Sequence, residues 1–463
     1  MTTVVVSSRG ARRWTLGHPW IFRSDVVDAP QSPPGTVSVT DQQGRVVGTA
    51  LWSPDSEISL RMVSRRAGDV LDAAWWHARI AAAVARRDGL LDADTNACRL
   101  VHGEGDGLPS LVVDRFDRWL VVQLLSAGIE AHREAIVEAL SAIVRPEGIL
   151  ARNDASVRTR EGLSRSVETL AGSVPETVEV REHGVRYLAA PHTGQKTGAF
   201  LDQREARVLA ASVARGRALD VFSYHGSFAL HLARRADTVT AIDASGAAIA
   251  RAAENAALNG LTNITGVEAD AFDFLRAEEG RGARYETIVL DPPAFAKNRA
   301  SIAGALRGYK DINLRAMRLL APGGTLYTAS CSYHVGKADF LAMLQEAAAD
   351  SGRRMILRAV TGQPSDHPEV ITIPETGYLK GALLEAGDGV RGRWEVGGGR
   401  LPTVRDARPR LSSIVSPPSV LLHQLSSPLH CRWHVAQYQV PRPACTMRLM
   451  GLAQWSQGSP SRS

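Results

Sequence analysis

The fold is decided by residues 217–243, which read RALDVFSYHGSFALHLARRADTVTAID. A run of buried-type strand residues (217–223) leads into a helical stretch (226–235) and then into a second strand that ends at Asp243. The same alternation continues downstream, with a predicted helix over 245–260 and predicted strands over 264–269, 285–291 and 324–330. Strands that alternate with helices at this spacing predict a doubly wound α/β sheet, which binds its ligands at the carboxyl ends of the strands.

A region of a different character precedes this sheet. β-branched residues alternate with polar ones over 36–40, 45–51 and 58–63, between turns rich in glycine and proline. This pattern indicates a small β-barrel within residues 1–68.

Residues 69–178 predict a central α+β region, with helices over 75–91 and 130–144 and strands over 111–114 and 119–125. Its acidic stretch His102–Pro109 is rich in glycine and lacks the ligand spacing of a calcium loop, so it predicts a hairpin turn. The α/β sheet then takes residues 179–385, which leaves residues 386–463 as a fourth region.

The composition is that of an ordinary globular protein. The chain has 463 residues, of which 44% are hydrophobic and 22% charged, and this excludes collagen, a coiled coil and disorder throughout. No segment approaches the ~18 apolar residues that a membrane span needs, and Met1–Trp14 lacks the apolar centre of a signal peptide. We therefore expect a soluble cytoplasmic protein; the residues leave its oligomeric state open, with a homodimer as one option.

The formal charge of +6 comes from the end of the chain. Ten arginines, no lysine and three acids give residues 386–463 a charge of +7, which leaves −1 for residues 1–385. Bulk charge is therefore no evidence for a polyanionic partner. Locally, Arg12 and Arg13 lie beside the aromatic stretch Gly17–Phe22, which favours either a core aromatic pair with solvated arginines or a small RNA-binding platform.

Residues 386–463 also contain eight prolines and ten serines without a sustained period. We expect this tail to be disordered or to result from a frame error in the source sequence. His430, Cys431, His434 and Cys445 have zinc-capable side chains, but their spacing fits no zinc finger, and we expect no metal site.

The turn after the first strand of the α/β sheet has the residues of an adenosine site. Gly226 lets the backbone approach a ligand, Asp243 ends the next strand where it can accept both ribose hydroxyls, and Asp270 after the third strand can hold an adenine amine. A dinucleotide would need more glycine at this turn, so S-adenosylmethionine fits better. The alternative is a turn glycine with acids that merely cap helices.

Asp291-Pro-Pro-Ala-Phe295 ends the fourth strand of this sheet. Two prolines fix the loop and remove backbone donors, so the Asp291 carboxylate and the carbonyls face a ligand as acceptors. Phe295 could stack on the same ligand, which indicates a nucleobase. This pattern occurs in methyltransferases that act on nucleobases, including those that modify exocyclic amines.

Cys331 follows the fifth strand, between Ser330 and Ser332. Thiolate attack on carbon 6 of a pyrimidine turns carbon 5 into a nucleophile able to take a methyl group. A cysteine at a strand end, beside the strand that carries Asp291, has the position that this chemistry needs. Cys98 has no such setting and is expected to be structural, and four scattered cysteines make no disulfide framework.

Taken together, these motifs resemble the bacterial class I 23S ribosomal RNA (cytosine-5) methyltransferases, the large-subunit methyltransferase I family. The stretches that carry the resemblance in the α/β sheet are Gln195–Arg204, Phe222-Ser-Tyr224, Asp291-Pro-Pro293, Arg307–Asn313 and Ser330-Cys-Ser332. Gly17–Phe22 is similar to the N-terminal PUA domain of that family, and Gly103–Pro109 with Val113–Phe116 to its central domain. The likeness ends in Pro374–Lys380.

The resemblance implies a PUA-like domain, a central domain and a Rossmann-like methyltransferase domain that binds S-adenosylmethionine and modifies 23S ribosomal RNA. It implies that Cys331 is the nucleophile and that Asp291 orients the cytosine. The residues then expected to hold the cofactor are Gln203, Asp220, Phe222, Tyr224, Gly226, Asp243, Asp270, Ala271 and Asp291. Those expected to contact RNA are Pro292, Phe295, Lys196, Arg204, Arg12 and Arg13.

Two features depart from the family pattern. Ser227 stands where a second glycine is usual, and the tail beyond Glu385 has no counterpart. Two other functions stay open on the residues alone: N-methylation of a base amine with Cys331 as a bystander, and a non-catalytic RNA-binding protein of ribosome assembly.

Overall fold

The computed structural model describes residues 2–296 and 299–387. Within them the chain forms three β-sheets and a separate two-stranded hairpin. The tail from residue 388 and its cluster of histidines and cysteines lie outside the described residues.

The first sheet is six-stranded, with the order β2-β6-β5-β4-β1-β3. Its elements are β1 (Thr3–Val6), α1 (Ser8–Thr15), β2 (Trp20–Ile21), β3 (Val26–Asp28), β4 (Gly35–Asp41), β5 (Val46–Trp52) and β6 (Leu60–Ser64). Alternate residues of these strands, such as Val37, Val39 and Leu60, point into one apolar core. The helix α1 begins where the Ser7 side chain accepts from Gly10 N.

The second sheet has five strands in the order β11-β10-β9-β8-β7 and packs against two amphipathic helices. Its elements are α2 (Ala73–Ala85), β7 (Ala97–His102), β8 (Leu111–Phe116), β9 (Trp119–Leu124), α3 (Ala127–Glu130), α4 (Arg133–Val144), β10 (Gly148–Asn153), α5 (Val157–Arg160) and β11 (Ser166–Gly172). The acidic stretch between β7 and β8 joins an antiparallel pair, so the predicted hairpin turn is confirmed. The hairpin β12 (Val178–Glu182) and β13 (Val185–Ala189) follows.

The third sheet is the predicted doubly wound one, and it has seven strands in the order β16-β15-β14-β17-β18-β20-β19. Its elements are α6 (Arg204–Ser212), β14 (Arg217–Val221), α7 (Ser227–Ala233), β15 (Thr238–Asp243), α8 (Gly246–Leu258), β16 (Ile264–Glu268), α9 (Ala271–Gly280), β17 (Tyr285–Leu290), α10 (Ile302–Leu319), β18 (Leu320–Ser330), α11 (Lys337–Ser351), β19 (Met355–Thr361) and β20 (Lys380–Ala386). Strands β14 to β18 are parallel, and β20 runs antiparallel to both of its neighbours.

Two apolar cores cover the faces of this sheet. The helices α9, α10 and α11 pack on one face, and α6 and α7 pack on the other. Strand order reverses between β14 and β17, because β15 and β16 lie on one side of β14 and β17 lies on the other. A doubly wound sheet opens a ligand crevice at this point, at the carboxyl ends of the strands.

A long connection, residues 362–379, joins β19 to β20; we refer to it as the bridging segment. Its Asp366 accepts from Arg99 N in β7 and from the Arg204 guanidinium in α6. Its Thr372 donates to Gly17 O, beside the first sheet. The bridging segment thereby contacts all three sheet-bearing regions next to the crevice.

Candidate active site

The turn after β14 forms one wall of the crevice and has an unusual backbone. Phe222 and Tyr224 have φ values of 68° and 49°, and Gly226 has 83°. Non-glycine residues rarely adopt positive φ, and strain of this kind concentrates at ligand sites. Tyr224 N donates to Asp243 Oδ2 at 2.8 Å, which fixes the turn to the end of β15.

Gly226 is required by packing as well as by its φ value. A Cβ built on Gly226 would lie 2.9 Å from the Ala252 Cβ of α8. The neighbouring Ser227 is buried and its hydroxyl lies 3.1 Å from His225 Nδ1, so the turn accommodates the side chain that departs from the family pattern.

Asp220 and Gln203 each have one buried side-chain oxygen without a protein partner. Asp220 Oδ2 accepts from Ala229 N at 2.9 Å, while its Oδ1 has no partner. Burial raises the pKa of Asp220 to about 8, with the Asp291 and Asp243 charges adding to the effect. Gln203 Oε1 and the Ser223 hydroxyl are likewise buried and unpartnered. Orphaned buried polar atoms are costly, so they fit a polar ligand such as the amino acid part of S-adenosylmethionine.

Asp243 and Asp270 stand at the ends of β15 and β16. Asp243 Oδ1 accepts from Ser245 N at 2.9 Å, so both of its oxygens already hold the turn while keeping further lone pairs. Asp270 is exposed and caps α9 through Phe272 N and Asp273 N, ahead of the buried Ala271. Asp270 therefore caps a helix, as the alternative interpretation of the sequence held, whereas Asp243 holds the turn and the α8 cap is Ser245.

Asp291 follows β17 at the other side of the crevice. Its Oδ1 accepts from Gln203 Nε2 at 2.7 Å, which fixes the rotamer and leaves Oδ2 for a ligand. Burial raises the pKa of Asp291 to about 6, and the nearby Asp202 charge adds to this. A carboxyl group with such a pKa exchanges protons near neutral pH.

Phe295 contributes to an aromatic cluster behind Asp291. Its ring centroid lies 4.6 Å from that of Tyr309 and 6.0 Å from that of Phe272, with Phe222 at 6.4 Å. The ring is half-buried, so one part of it packs against the core and another stays accessible.

Cys331 lies directly after β18 and is half-buried. Its Sγ lies 3.8 Å from the carbonyl oxygen of Pro292, so the loops that follow β17 and β18 are in contact. The Ser332 hydroxyl holds this loop by contacts with Tyr309 OH at 2.9 Å and Ala296 N at 3.1 Å. The thiol is therefore beside the Asp291 loop and outside the packed core.

Burial raises the pKa of the Cys331 thiol to about 12, the Asp291 charge raises it further, and the charges of Lys196 and Lys380 act in the opposite direction. Lys196 Nζ pairs with Asp202 Oδ2 at 2.6 Å. Lys380 Nζ donates to the Ser332 and Tyr378 carbonyls at 2.5 and 3.0 Å. Positive groups beside a buried thiol are what makes it able to ionise.

Sequence reasoning missed Asp202, Tyr378 and Lys380. Tyr378 OH donates to Asp202 Oδ2 at 2.6 Å, the same oxygen that holds Lys196. All three missed residues lie inside stretches that carry the family resemblance, which was the available signal, but their contacts join segments far apart in the chain.

The arginines expected to contact RNA fall into two groups. Arg12 is exposed on α1, and Arg13 lies over the Phe22 ring at 4.5 Å from its centroid. Arg204 is different, because its guanidinium is buried and forms two bonds to Asp366, at 3.0 and 3.1 Å. Its burial makes Arg204 a structural link and argues against a surface contact to RNA.

The other cysteine in the described chain, Cys98, is fully buried in the core of the second sheet, and burial raises its pKa to about 12. Across residues 2–296 and 299–387, no three His, Cys, Asp or Glu side chains cluster in a way that could hold a metal ion. No helix in this part of the chain combines the length and apolar character of a membrane crossing.

The sequence of this chain matches known protein families. Residues 98–383 match the model of an S-adenosylmethionine-dependent methyltransferase family, and residues 4–65 match a PUA-like domain. A protein of Erwinia tasmaniensis named ribosomal RNA large subunit methyltransferase I is 38% identical over 82% of this chain and 98% of its own length. A protein of the same name from Salmonella arizonae is 37% identical over 81% and 96%.

Solved structures share the fold at lower identity. A Streptococcus mutans protein assigned as a SAM-dependent methyltransferase has a TM-score of 0.71 at 19% identity, over 83% of this chain and all of its own. A second structure, of a protein described as a methyltransferase and solved in complex with SAH, has a TM-score of 0.73 at 20% identity, over 83% of this chain and all of its own.

Proposed function

Because this chain belongs to the ribosomal RNA large subunit methyltransferase I family of S-adenosylmethionine-dependent enzymes, we propose that it transfers a methyl group to carbon 5 of a cytosine in 23S ribosomal RNA. The observation that supports this choice of atom is the contact between the Cys331 and Asp291 loops, with Sγ 3.8 Å from the Pro292 carbonyl. A thiol and a carboxyl group on two loops in contact are the two groups that thiolate attack on a cytosine ring requires.

The cofactor is held by the walls of the crevice. When bound, S-adenosylmethionine supplies the methyl group as an electrophile. The unpartnered atoms of Gln203, Asp220 and Ser223 accept its polar groups, and Asp243 with the Phe222–Gly226 turn holds the ribose. Asp270 and Ala271 lie at the adenine end. The role of these residues is to place the reacting atoms close together, which is a large part of the rate gain in such reactions.

Cys331 reacts through its thiolate, which forms when the thiol gives its proton to solvent. Its sulfur forms a bond to carbon 6 of the cytosine, and the electrons of the 5,6 double bond become available at carbon 5. Lys196 and Lys380 stabilise the thiolate by their charges. The lone pair on carbon 5 then takes the methyl group.

Asp291 makes the ring a better target for the thiolate. With a pKa raised to about 6, its carboxyl group can hold a proton and donate it to N3, which draws electrons away from carbon 6. Gln203 keeps the carboxyl group in position. Loss of the carbon 5 proton to a base restores the 5,6 double bond, the electrons of the carbon–sulfur bond return to Cys331, and N3 gives its proton back to the Asp291 carboxylate.

Several of the residues predicted from the sequence to contact RNA lie around this site or on the PUA-like domain. A base has to leave its stack to enter the crevice, where the half-buried Phe295 lies beside it, with Lys196 nearby; Pro292 is buried, and its carbonyl oxygen contacts Cys331 Sγ. Arg12 and Arg13 provide positive charge on the PUA-like domain. Arg204 is omitted from this set because it is buried against Asp366.

The proposal is tested by identifying the methylated nucleoside. We expect digestion of RNA methylated by the purified enzyme to yield 5-methylcytidine by mass and retention time. An N-methylated guanosine or adenosine would support the rival amine chemistry and contradict ours. Absence of any methylated nucleoside, together with no calorimetric heat for S-adenosylmethionine, would support a non-catalytic RNA-binding protein.

A further inference from the structure

The carboxyl edge of the third sheet carries its functional groups in a fixed order. The residues proposed to hold the cofactor follow β14, β15 and β16, while Asp291 follows β17 and Cys331 follows β18. The strand order places β20 on the side of β18 that faces away from β14. A ligand beyond Cys331 along this edge therefore lies on the side opposite the cofactor.

That side of the sheet contains a cavity of about 790 Å³. One wall is the loop that follows Cys331, residues 333–337, and the other is residues 369–377 of the bridging segment. Lys380 lies between the two walls and donates to the Ser332 carbonyl at 2.5 Å. The cavity is thus continuous with the loop that carries the nucleophile.

The lining of the cavity suits an uncharged aromatic ring. The rings of Tyr333 and His334 lie 5.1 Å apart at one wall, and Val370 and Pro374 add apolar surface. Ile371 stands 96% exposed at the other wall. Rings and apolar side chains of this kind stack on nucleobases with little dependence on their identity.

The charges around the cavity favour a base over a phosphate. Lys337 Nζ pairs with Glu369 Oε2 at 3.0 Å, and Asp339 Oδ2 accepts from Gly336 N at 3.3 Å. With two lysines and two acids in the lining, the positive charge is balanced. A phosphate would need an excess of positive charge, whereas base edges use donors and acceptors of both kinds.

The bridging segment also connects this cavity to the PUA-like domain. Thr372 donates to Gly17 O at 3.0 Å, and Glu375 Oε2 lies 3.0 Å from His18 Nε2. An RNA strand that contacts Arg12 on that domain and enters the crevice from the side away from the cofactor passes this cavity.

We propose that this cavity binds the nucleobase adjacent to the target cytosine in the RNA strand. It is then a specificity site of the enzyme, separate from the cofactor site and next to the nucleophile. The inference rests on the proposed function, because that function sets the RNA substrate and the position of the target base at Cys331.

The test compares two exposed apolar residues of the same sheet region. Ile371→Asp changes the cavity wall, and Leu357→Asp is the control. Leu357 is 49% exposed in β19. It pairs with Leu384 of β20, which also pairs with Leu326 in the middle of β18, so Leu357 lies away from the carboxyl edge of the sheet. Both variants add one negative charge, and neither side chain is buried.

The measurement is the Kd for a 23S ribosomal RNA transcript, in the presence of S-adenosylhomocysteine and excess unrelated RNA. We expect Ile371→Asp to weaken binding by about tenfold or more, the scale of one lost base contact, while Leu357→Asp stays within about twofold of wild type. Calorimetric binding of S-adenosylmethionine is expected to be unchanged in both. Equal RNA binding by wild type and Ile371→Asp, or equal weakening by both variants, would overturn the inference.

A second arm locates the base. The substrate is a synthetic RNA that carries the mapped target cytosine and an abasic nucleotide on one side of it. The abasic nucleotide should weaken RNA binding to the wild type and have a smaller effect on binding to Ile371→Asp, because the two changes remove one shared contact. Additive losses at both flanking positions would count against the site. Both arms measure RNA binding, so they remain informative if the methylated nucleoside turns out not to be 5-methylcytidine.

Discussion

The reactivity of Cys331 depends on the charges that surround its sulfur. Burial and Asp291 oppose ionisation of the thiol, and Lys196 and Lys380 favour it. Lys196 is already paired with Asp202, whereas the described residues bring no carboxylate within ion-pair distance of Lys380, which donates to two carbonyls. The charge of Lys380 is therefore the less compensated of the two.

We predict that Lys380→Met makes Cys331 harder to ionise. Its apparent pKa should rise by about one unit, which corresponds to about a tenfold lower thiolate fraction near neutral pH. The measurement is the alkylation rate of the Cys331 peptide against pH by mass spectrometry; the buried Cys98 should stay unmodified, which checks that the protein remains folded. Lys380→Arg retains the charge and should restore much of the rate, whereas an unchanged profile in Lys380→Met would contradict the prediction.

Asp220 should make stability depend on pH. Its pKa is raised by burial from 3.8 to about 8 in the folded state, so folding favours the protonated form. The associated stability is fully present below about pH 4 and is lost as the pH rises through about 8. We expect Asp220→Asn, without cofactor, to raise Tm more at pH 8 than at pH 5, since the amide keeps an acceptor for Ala229 N and does not ionise.

The same variant should bind S-adenosylmethionine more weakly in calorimetry, because the carboxylate is proposed to accept from the cofactor. A Tm difference from wild type that is independent of pH would show that Asp220 does not titrate between the two states. Gln195→Asn offers a control, since the Gln195 side chain is exposed and the residue contacts Tyr224 OH through its backbone N.

At the scale of elements, local sequence patterns were sufficient to predict the strands and helices of the methyltransferase sheet. The alternation around β14 to β18 correctly predicted a doubly wound sheet, because buried parallel strands and amphipathic helices have distinct periods. The predicted ends of elements were less accurate: the helix predicted over 75–91 ends at Ala85. There the buried Arg87 donates to Ala83 O and Arg99 O and pairs with Asp106, and such tertiary contacts cannot be derived from a local period.

Gly226 offers a test of how the first turn is built. A methyl group there meets both the positive φ of 83° and the Ala252 Cβ at 2.9 Å, so Gly226→Ala should destabilise the protein by about 1–3 kcal/mol. Gly280→Ala is the matched control, since a Cβ there meets nothing within 4 Å and its φ is not positive. Chemical unfolding of both variants makes the comparison, and equal stability would mean that the turn adapts without strain.

At the scale of the whole molecule, the bridging segment was the feature that sequence reasoning could not anticipate. Its residues have no strand or helix period, and its role comes from ion pairs with residues far away in the chain. Arg204 was predicted to contact RNA because it lies in a stretch that resembles the family, yet it pairs with Asp366 over 162 positions. The candidate nucleophile and the acids, in contrast, could be proposed from the sequence because strand ends are recognisable locally.

Asp366 should matter to the stability of the assembled domains. Asp366→Ala leaves the buried Arg204 guanidinium without its carboxylate, and a broken buried ion pair costs about 3–5 kcal/mol. Glu205→Ala removes a carboxylate that is 55% exposed and 3.6 Å from the same arginine, and it should cost less than about 1 kcal/mol. Urea midpoints compare the two, and similar midpoints would show that the Asp366 contacts are not needed to hold the bridging segment.

The most direct test of the account is whether Cys331 becomes covalently attached to its substrate. In 23S ribosomal RNA transcribed with 5-fluorocytidine, fluorine replaces the carbon 5 proton and cannot be removed as a proton, so the adduct formed after methyl transfer persists. We expect a denaturant-stable protein–RNA complex that requires S-adenosylmethionine, maps to the Cys331 peptide, and is absent from Cys331→Ser but present in Cys98→Ser. Methylation of normal RNA by Cys331→Ser at the wild-type rate, with no adduct in the wild type, would contradict it.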